Sequence, residues 1–268
     1  MPLCANLAGA WLLVEASTAA TALLVGLSGK RRALEAGWKY LVLGTLGLGV
    51  ALLGIVLLQT AQGSADDLGA LGFARIAASA GGLDGDIATV ALVLIVGGLA
   101  AKIGWAPVHN WLPDAHSEAP APVSAMLSSA LLPTVLLVAW RVADALAPAT
   151  GTAGPRLFMG FGLASLAIAV PFLWRPLAWK RLLAYSSLEH VGVIALGVGF
   201  GGRLAVAGAA IHVAGHALAK TTGFLVALPL LEARPAASGA APRGDMSVVD
   251  AIEQGLITID YSDDAAGL

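Results

Sequence analysis

Residues 99–140 read LAAKIGWAPVHNWLPDAHSEAPAPVSAMLSSALLPTVLLVAW. An apolar segment that begins near Ile87 carries Lys102 well inside it. It breaks at Gly104 and Pro107 into a polar, proline-punctuated loop, and a second apolar segment begins at Pro122. Two membrane helices flanking one unusual loop account for this pattern. A lysine placed in hydrocarbon costs several kcal/mol unless it faces a bundle interior or a wet cavity, so Lys102 is a functional candidate on position alone. Gly97, Gly98, Gly104 and Pro107 bracket the lysine and predict an unwound or kinked helix there, and broken backbone at membrane depth needs the same shelter.

Composition points the same way. Of 268 residues, 58% are hydrophobic and 12% charged, and the mean hydropathy of +0.83 belongs to a polytopic membrane protein. Cys4 is the single cysteine, which excludes a disulfide framework, an iron–sulfur cluster and a thiolate zinc site within the chain, so no cofactor is expected here. The net charge of −2, with basic residues scattered between apolar spans, gives no footprint for nucleic acid.

A helix needs about 20 residues to cross the hydrocarbon core. On that measure the chain holds seven spans, near 3–27, 36–59, 87–106, 122–141, 157–174, 182–201 and 204–231. The expected fold is an all-α, polytopic membrane bundle of about seven transmembrane helices, broken near Lys102 and again near Lys220. The first span lacks a positive leading region and is too long and interrupted for a signal peptide. Residues 62–86 are rich in Gly, Ala and Asp, with a short interfacial helix expected over 68–80. Residues 1–231 form the transmembrane domain. Residues 232–268, an Ala/Pro/Gly/Ser linker and an acidic stretch, read as a largely disordered cytoplasmic tail with a short helix around 248–253. Lys30, Arg31, Arg32, Arg175, Lys180, Arg181, Arg234 and Arg243 fall on one side of the alternating spans, and Arg75, Arg141, Arg156 and Arg203 on the other. The positive-inside rule then sets the N-terminus outside and the C-terminus in the cytoplasm.

The ionisable groups within the spans are Glu15, Lys39, Lys102, His212, His216 and Lys220, with Glu189 and His190 nearby. Lys39, near the start of its span, has a second reading as a side chain that snorkels to the interface. His212, His216 and Lys220 lie at i, i+4 and i+8 and stack on one helical face. Desolvation moves lysine and glutamate pKa values towards neutrality, and histidine titrates near it already, so such a row suits proton transfer. Opposite charges such as Glu15 and Lys102 would switch one another on approach. In the loop, Trp105, His109, Trp111, Asp114, His116 and Glu118 are expected at one membrane face. Asp114, His116 and Glu118 have the composition of a metal site, but the same pattern occurs in many solvated loops, so no metal is assigned.

The run KIGWAPVHNWLPDAHSEAPAPVSAML, with His109, Trp111, Pro113, Asp114, His116 and Glu118, closely resembles the signature of the antiporter-like proton-translocating subunits of complex I and the group 4 membrane-bound hydrogenases. RLLAYSSLEHVGVIALGVGFG and HVAGHALAKTTGFL resemble the hydrogenase-4 component F branch, which is related to complex I chain 4. The likeness covers about residues 8 to 228, about half of a full member. It implies that the seven spans correspond to the family's helices five to eleven. Glu15, in WLLVEAST, would then match the family's glutamate of the fifth helix and Lys102 the lysine of the broken seventh helix that pairs with it. Lys39 would match a lysine of the sixth, and His212, His216 and Lys220 groups of the eleventh.

The implied role is a non-redox, proton-translocating subunit in the cell inner membrane, partnered by the bilayer and by other membrane and peripheral subunits of a hydrogenase or complex-I-like assembly. Pro133 stands where relatives carry a lysine linking two half-channels. Five spans make one inverted repeat and the second stops after two, so a truncated structural subunit without transport is the alternative, followed by a cation/proton antiporter component.

Overall fold

The computed structural model describes residues 4–63 and 67–232, with side chains to residue 226; the tail reading for 233–268 lies outside the described residues. Helices α1 (Leu7–Val25), α2 (Arg31–Ala61), α4 (Gly85–Ile103), α9 (Ala153–Leu173), α10 (Trp179–Phe200) and α11 (Gly202–Glu232) form the long elements. Short α3 (Phe73–Ser79), α5 (Trp111–Glu118) and α8 (Ala147–Thr150) connect them. A further long rod consists of α6 (Ala121–Met126), a π-helical turn (Leu127–Leu131) and α7 (Leu132–Ala145). Among the described residues, six helices, the rod included, are long and apolar enough to cross a membrane. The 31 residues of α11 suffice for a seventh crossing by length, but His212, His216 and Lys220 interrupt its apolar run. Leu12, Leu23, Leu46, Leu53, Leu163, Ile211 and Leu218 point outward, as a lipid-facing surface requires.

Lipid provides no hydrophobic drive between helices, so the bundle relies on close approach of small residues. Along α2, Gly44, Gly47, Ala51, Gly54 and Leu58 lie on the buried face. A Cβ on Gly98 of α4 would lie 2.4 Å from both the Gly47 oxygen and the Ala51 nitrogen, so the α2 and α4 backbones come into contact where Gly98 meets Gly47 and the small Ala51. Gly162 of α9 and Gly192 of α10 repeat the device, each facing the other's carbonyl oxygen.

The break beyond Lys102 falls where the glycine and proline spacing predicts it. Helix α4 ends at Ile103, and Gly104 takes φ +79°, a left-handed conformation that favours glycine. The chain then passes through a cis Ala106–Pro107 peptide into α5. The second expected break is absent: α11 runs as one helix through Lys220. Its neighbour carries the irregularity instead, in the π-helical turn just before Pro133. The interfacial segment expected over 68–80 is a 3-10 turn, Leu68–Leu71, followed by α3.

Candidate functional site

Lys102 lies in the last turn of α4 and is fully buried. Its ammonium donates a hydrogen bond to the hydroxyl of Tyr40 and also lies 4.1 Å from the centroid of the Tyr40 ring. The Tyr40 hydroxyl is 2.7 Å from Thr21 Oγ1. Thr21 donates its own proton to the Ser17 carbonyl at 2.5 Å, so the Tyr40 hydroxyl is the donor to Thr21. A directed row therefore runs from Lys102 through Tyr40 and Thr21 to the backbone of α1, two residues from Glu15.

Glu15 is half-buried, and its Oε2 has no hydrogen-bond partner. It is close enough to act electrostatically on both Lys102 and Tyr40. The Lys102 ammonium is thus held by the Tyr40 hydroxyl, and Glu15, which the sequence suggests as its ion-pair partner, acts on it electrostatically. In the sequence, Tyr40 directly follows the more conspicuous Lys39. The signal was its register, since Tyr40, Gly44, Gly47 and Ala51 share the buried face of α2.

Lys39 does not join this group. Its side chain is 46% exposed and pairs with Glu35 at 2.8 Å and Asp114 at 3.3 Å, while Arg181 reaches Asp114 at 3.4 Å. Arg32, Glu35, Lys39, Asp114, Glu118 and Arg181 line a polar pocket of about 230 Å³. This cluster joins the starts of α2 and α10 to α5 at one end of the bundle. Arg141 at the other end stacks 3.9 Å over Phe73 and donates to the Cys4 carbonyl at 2.7 Å.

The signature loop divides. Asp114 and Glu118 line the polar pocket, whereas Trp105, Trp111 and His116 are fully buried within the bundle. Trp111 donates to the Ala101 carbonyl at 2.6 Å and packs on Tyr40 at 4.6 Å between ring centroids, and Trp105 stacks on Phe161. Both tryptophans pack the broken chain into the bundle. Pro113 is buried within α5. His109 is also buried, which lowers its pKa.

His116 Nδ1 lies 3.0 Å from the Leu112 carbonyl, which fixes Nδ1 as the donor and leaves Nε2 buried with no partner. Burial in α5, outside the spans, pushes its pKa down to about 3. Asp114 and His116 are therefore held by different partners. Among the described residues no group of three His, Cys, Asp or Glu side chains is placed to hold a metal ion.

A second polar cluster lies between α10, α11 and the π-helical turn. His190 Nδ1 and His212 Nε2 are 2.8 Å apart, and the His190 and His216 rings are 5.3 Å apart between centroids. His216 Nε2 is 3.1 Å from the Ser128 carbonyl. Lys220, 2% exposed, donates to the Leu183 carbonyl at 3.1 Å, with Glu189 in electrostatic reach. Ser187 donates to that same carbonyl at 2.8 Å, and its Oγ is 2.7 Å from Ser128 Oγ. Lys180 donates to the Ser117 carbonyl at 2.9 Å and to the Ala119 carbonyl, tying α10 to the end of the signature loop. Ser128, Ser187 and Lys180 carried no sequence signal beyond their type. Their roles arise from carbonyls that only the folded chain brings near.

Two buried lysines therefore sit in separate polar clusters, each backed by hydroxyl or imidazole groups, with His116 in the segment that connects them. His116 faces Trp111 on one side at 6.3 Å and Phe224 of α11 on the other at 5.6 Å.

The transmembrane family described as NADH:quinone oxidoreductase/Mrp antiporter matches residues 4–252. A hydrogenase-4 component F homolog of Methylacidiphilum infernorum is 36% identical over 229 residues, covering 84% of this chain and 48% of that protein. An NADH-quinone oxidoreductase subunit N of Desulforudis audaxviator is 35% identical over 226 residues, covering 81% and 42%. The solved archaeal membrane-bound sulfane sulfur reductase superposes with a TM-score of 0.77 at 28% identity, covering 83% of this chain and 45% of that one. The chain spans about half the length of the curated relatives it matches. By sequence and by fold, it belongs to the NADH:quinone oxidoreductase/Mrp antiporter transmembrane family.

Proposed function

We propose that this chain is a proton-translocating membrane subunit of a hydrogenase-4-like or NADH-quinone-oxidoreductase-like complex. The observation that carries this reading is Lys102, fully buried in an apolar bundle yet hydrogen-bonded to Tyr40 beside Glu15. A lysine that only held two helices together would be needed for assembly, and transport per assembled complex would be unchanged without it. A transport lysine needs what surrounds this one: a partner of opposite charge and a row of hydroxyls that can rearrange as the proton leaves.

The proton would pass between Glu15, Lys102 and Tyr40, across the His116 segment, and into His190, His212, His216 and Lys220. No redox step is assigned to the chain. Electron transfer would belong to other subunits, and coupling would arise from charge movement that alters the Glu15–Lys102 interaction. The subunit would lie in the inner membrane with the Asp114 face towards the cytoplasm, in keeping with Arg31, Arg32, Lys180 and Arg181 at that end.

Pro133, at the position where the resemblance puts a lysine, favours the reading of a structural subunit without transport. Purification in mild detergent followed by mass spectrometry tests the assembly. Hydrogenase or quinone-module subunits should accompany the chain, and recovery of the chain alone would overturn the proposal.

A further inference from the structure

Pro133 lies five residues after Ser128, at the junction between the π-helical turn and α7. In an α-helix the Ser128 carbonyl would accept from the N–H of residue 132. Here the Leu132 N–H reaches back to the Leu127 carbonyl, the longer spacing of a π turn. Continuing that spacing would give the Ser128 carbonyl the N–H of residue 133, and proline has none. The carbonyl goes to a side chain from another helix instead, His216 Nε2 at 3.1 Å.

A carbonyl oxygen can only accept, so Nε2 carries the hydrogen and His216 Nδ1 holds the lone pair in the neutral ring. Nδ1 is buried and has no partner, and the ring of His190 lies 5.3 Å away between centroids. His190 in turn meets His212 at 2.8 Å.

We propose that Pro133 is a positioning residue: by withholding a backbone N–H it reserves the Ser128 carbonyl for His216 and sets the imidazole in the tautomer whose Nδ1 accepts a proton within the histidine cluster. The residue that looks like a lost lysine in the sequence thereby gains a role of its own. Its effect on transport rests on the proposed function, but its effect on the tautomer does not.

The test is nitrogen-15 NMR of the full chain in lipid nanodiscs with labelled histidine, His216 being assigned from the His216→Gln spectrum. The wild type should show His216 as the single Nε2–H form. Finding Nδ1–H in the wild type would overturn the proposal before any variant is made. Pro133→Ala restores a competing N–H, so the Nδ1–H form should become populated and the single-tautomer signal pair should be lost. Replacing Pro133 by an α-hydroxy acid, which puts an ester oxygen where the N–H would be, should keep the wild-type tautomer.

If the ester variant loses the tautomer along with Pro133→Ala, the ring of proline matters and not its missing N–H, and the proposal fails. It fails equally if Pro133→Ala retains the wild-type signals. If Pro133→Ala does not fold, the ester variant decides alone. Unchanged proton movement in a Pro133→Ala complex whose tautomer has shifted would count against the transport reading of the cluster and leave the positioning role standing.

Discussion

The hydroxyl of Tyr40 accepts a hydrogen bond from the buried ammonium of Lys102 while donating one to Thr21. Tyr40→Phe keeps the ring packed on Trp111 and removes only the oxygen. An unsatisfied buried donor costs about 1–3 kcal/mol, and more when it is charged, so the variant should melt at a lower temperature. Proton movement should slow as well, since Lys102 loses its link to α1. A thermal melt in detergent and a vesicle proton assay check the two effects separately. Wild-type values in both would mean that the hydroxyl is incidental.

His116 provides a pH dependence. Its folded pKa of about 3 lies below the ordinary histidine value of about 6.5, so the unfolded chain binds a proton that the native chain does not in the window between them. Stability from the neutral ring is complete above pH 6.5 and declines as the pH falls towards 3, by up to about 1.4 kcal/mol per pH unit. Melting temperatures from pH 7 to pH 5 should fall more steeply for the wild type than for His116→Gln. Parallel slopes would show that His116 takes up no proton on unfolding.

The close approach of α2 and α4 predicts intolerance to a single methyl group. A Cβ on Gly98 would lie 2.4 Å from backbone atoms of Gly47 and Ala51, which cannot swing aside as a side chain would. Gly98→Ala should destabilise the bundle by about 1–3 kcal/mol through overpacking, read as a lowered midpoint of unfolding. Gly97→Ala, whose Cβ meets nothing within 4 Å, is the control and should leave the midpoint unchanged.

Asp114 accepts ion pairs from Lys39 and Arg181, all partly exposed. Exposed pairs contribute little to stability. Asp114→Asn should therefore leave the melting temperature near that of the wild type, in contrast to Tyr40→Phe. A large loss of stability would show that the pocket at this end braces α2 against α10.

Span lengths and the break after Lys102 were legible because each follows from local chemistry: apolar length, glycine at a left-handed position and proline in the loop. The His212, His216 and Lys220 face was legible from helical spacing. Tyr40, Ser128 and Ser187 were not, because a hydroxyl gains meaning only from the cation or carbonyl that another helix brings to it. The expected break near Lys220 failed for a related reason. Buried polar groups need acceptors, and α11 finds them in the Leu183 and Ser128 carbonyls of neighbouring helices without unwinding its own backbone.

In the proposed mechanism a proton moves through Lys102. The most direct measurement is proton movement in vesicles reconstituted with the purified complex, comparing wild type with Lys102→Ala and normalising to the amount of assembled complex. Abolished proton movement, with the complex still assembled and its electron transfer slowed but present, is the expected result. Unchanged proton movement per assembled complex would contradict the account, and so would a complex that fails to assemble with Lys102→Ala yet transports normally once Lys102→Met restores assembly.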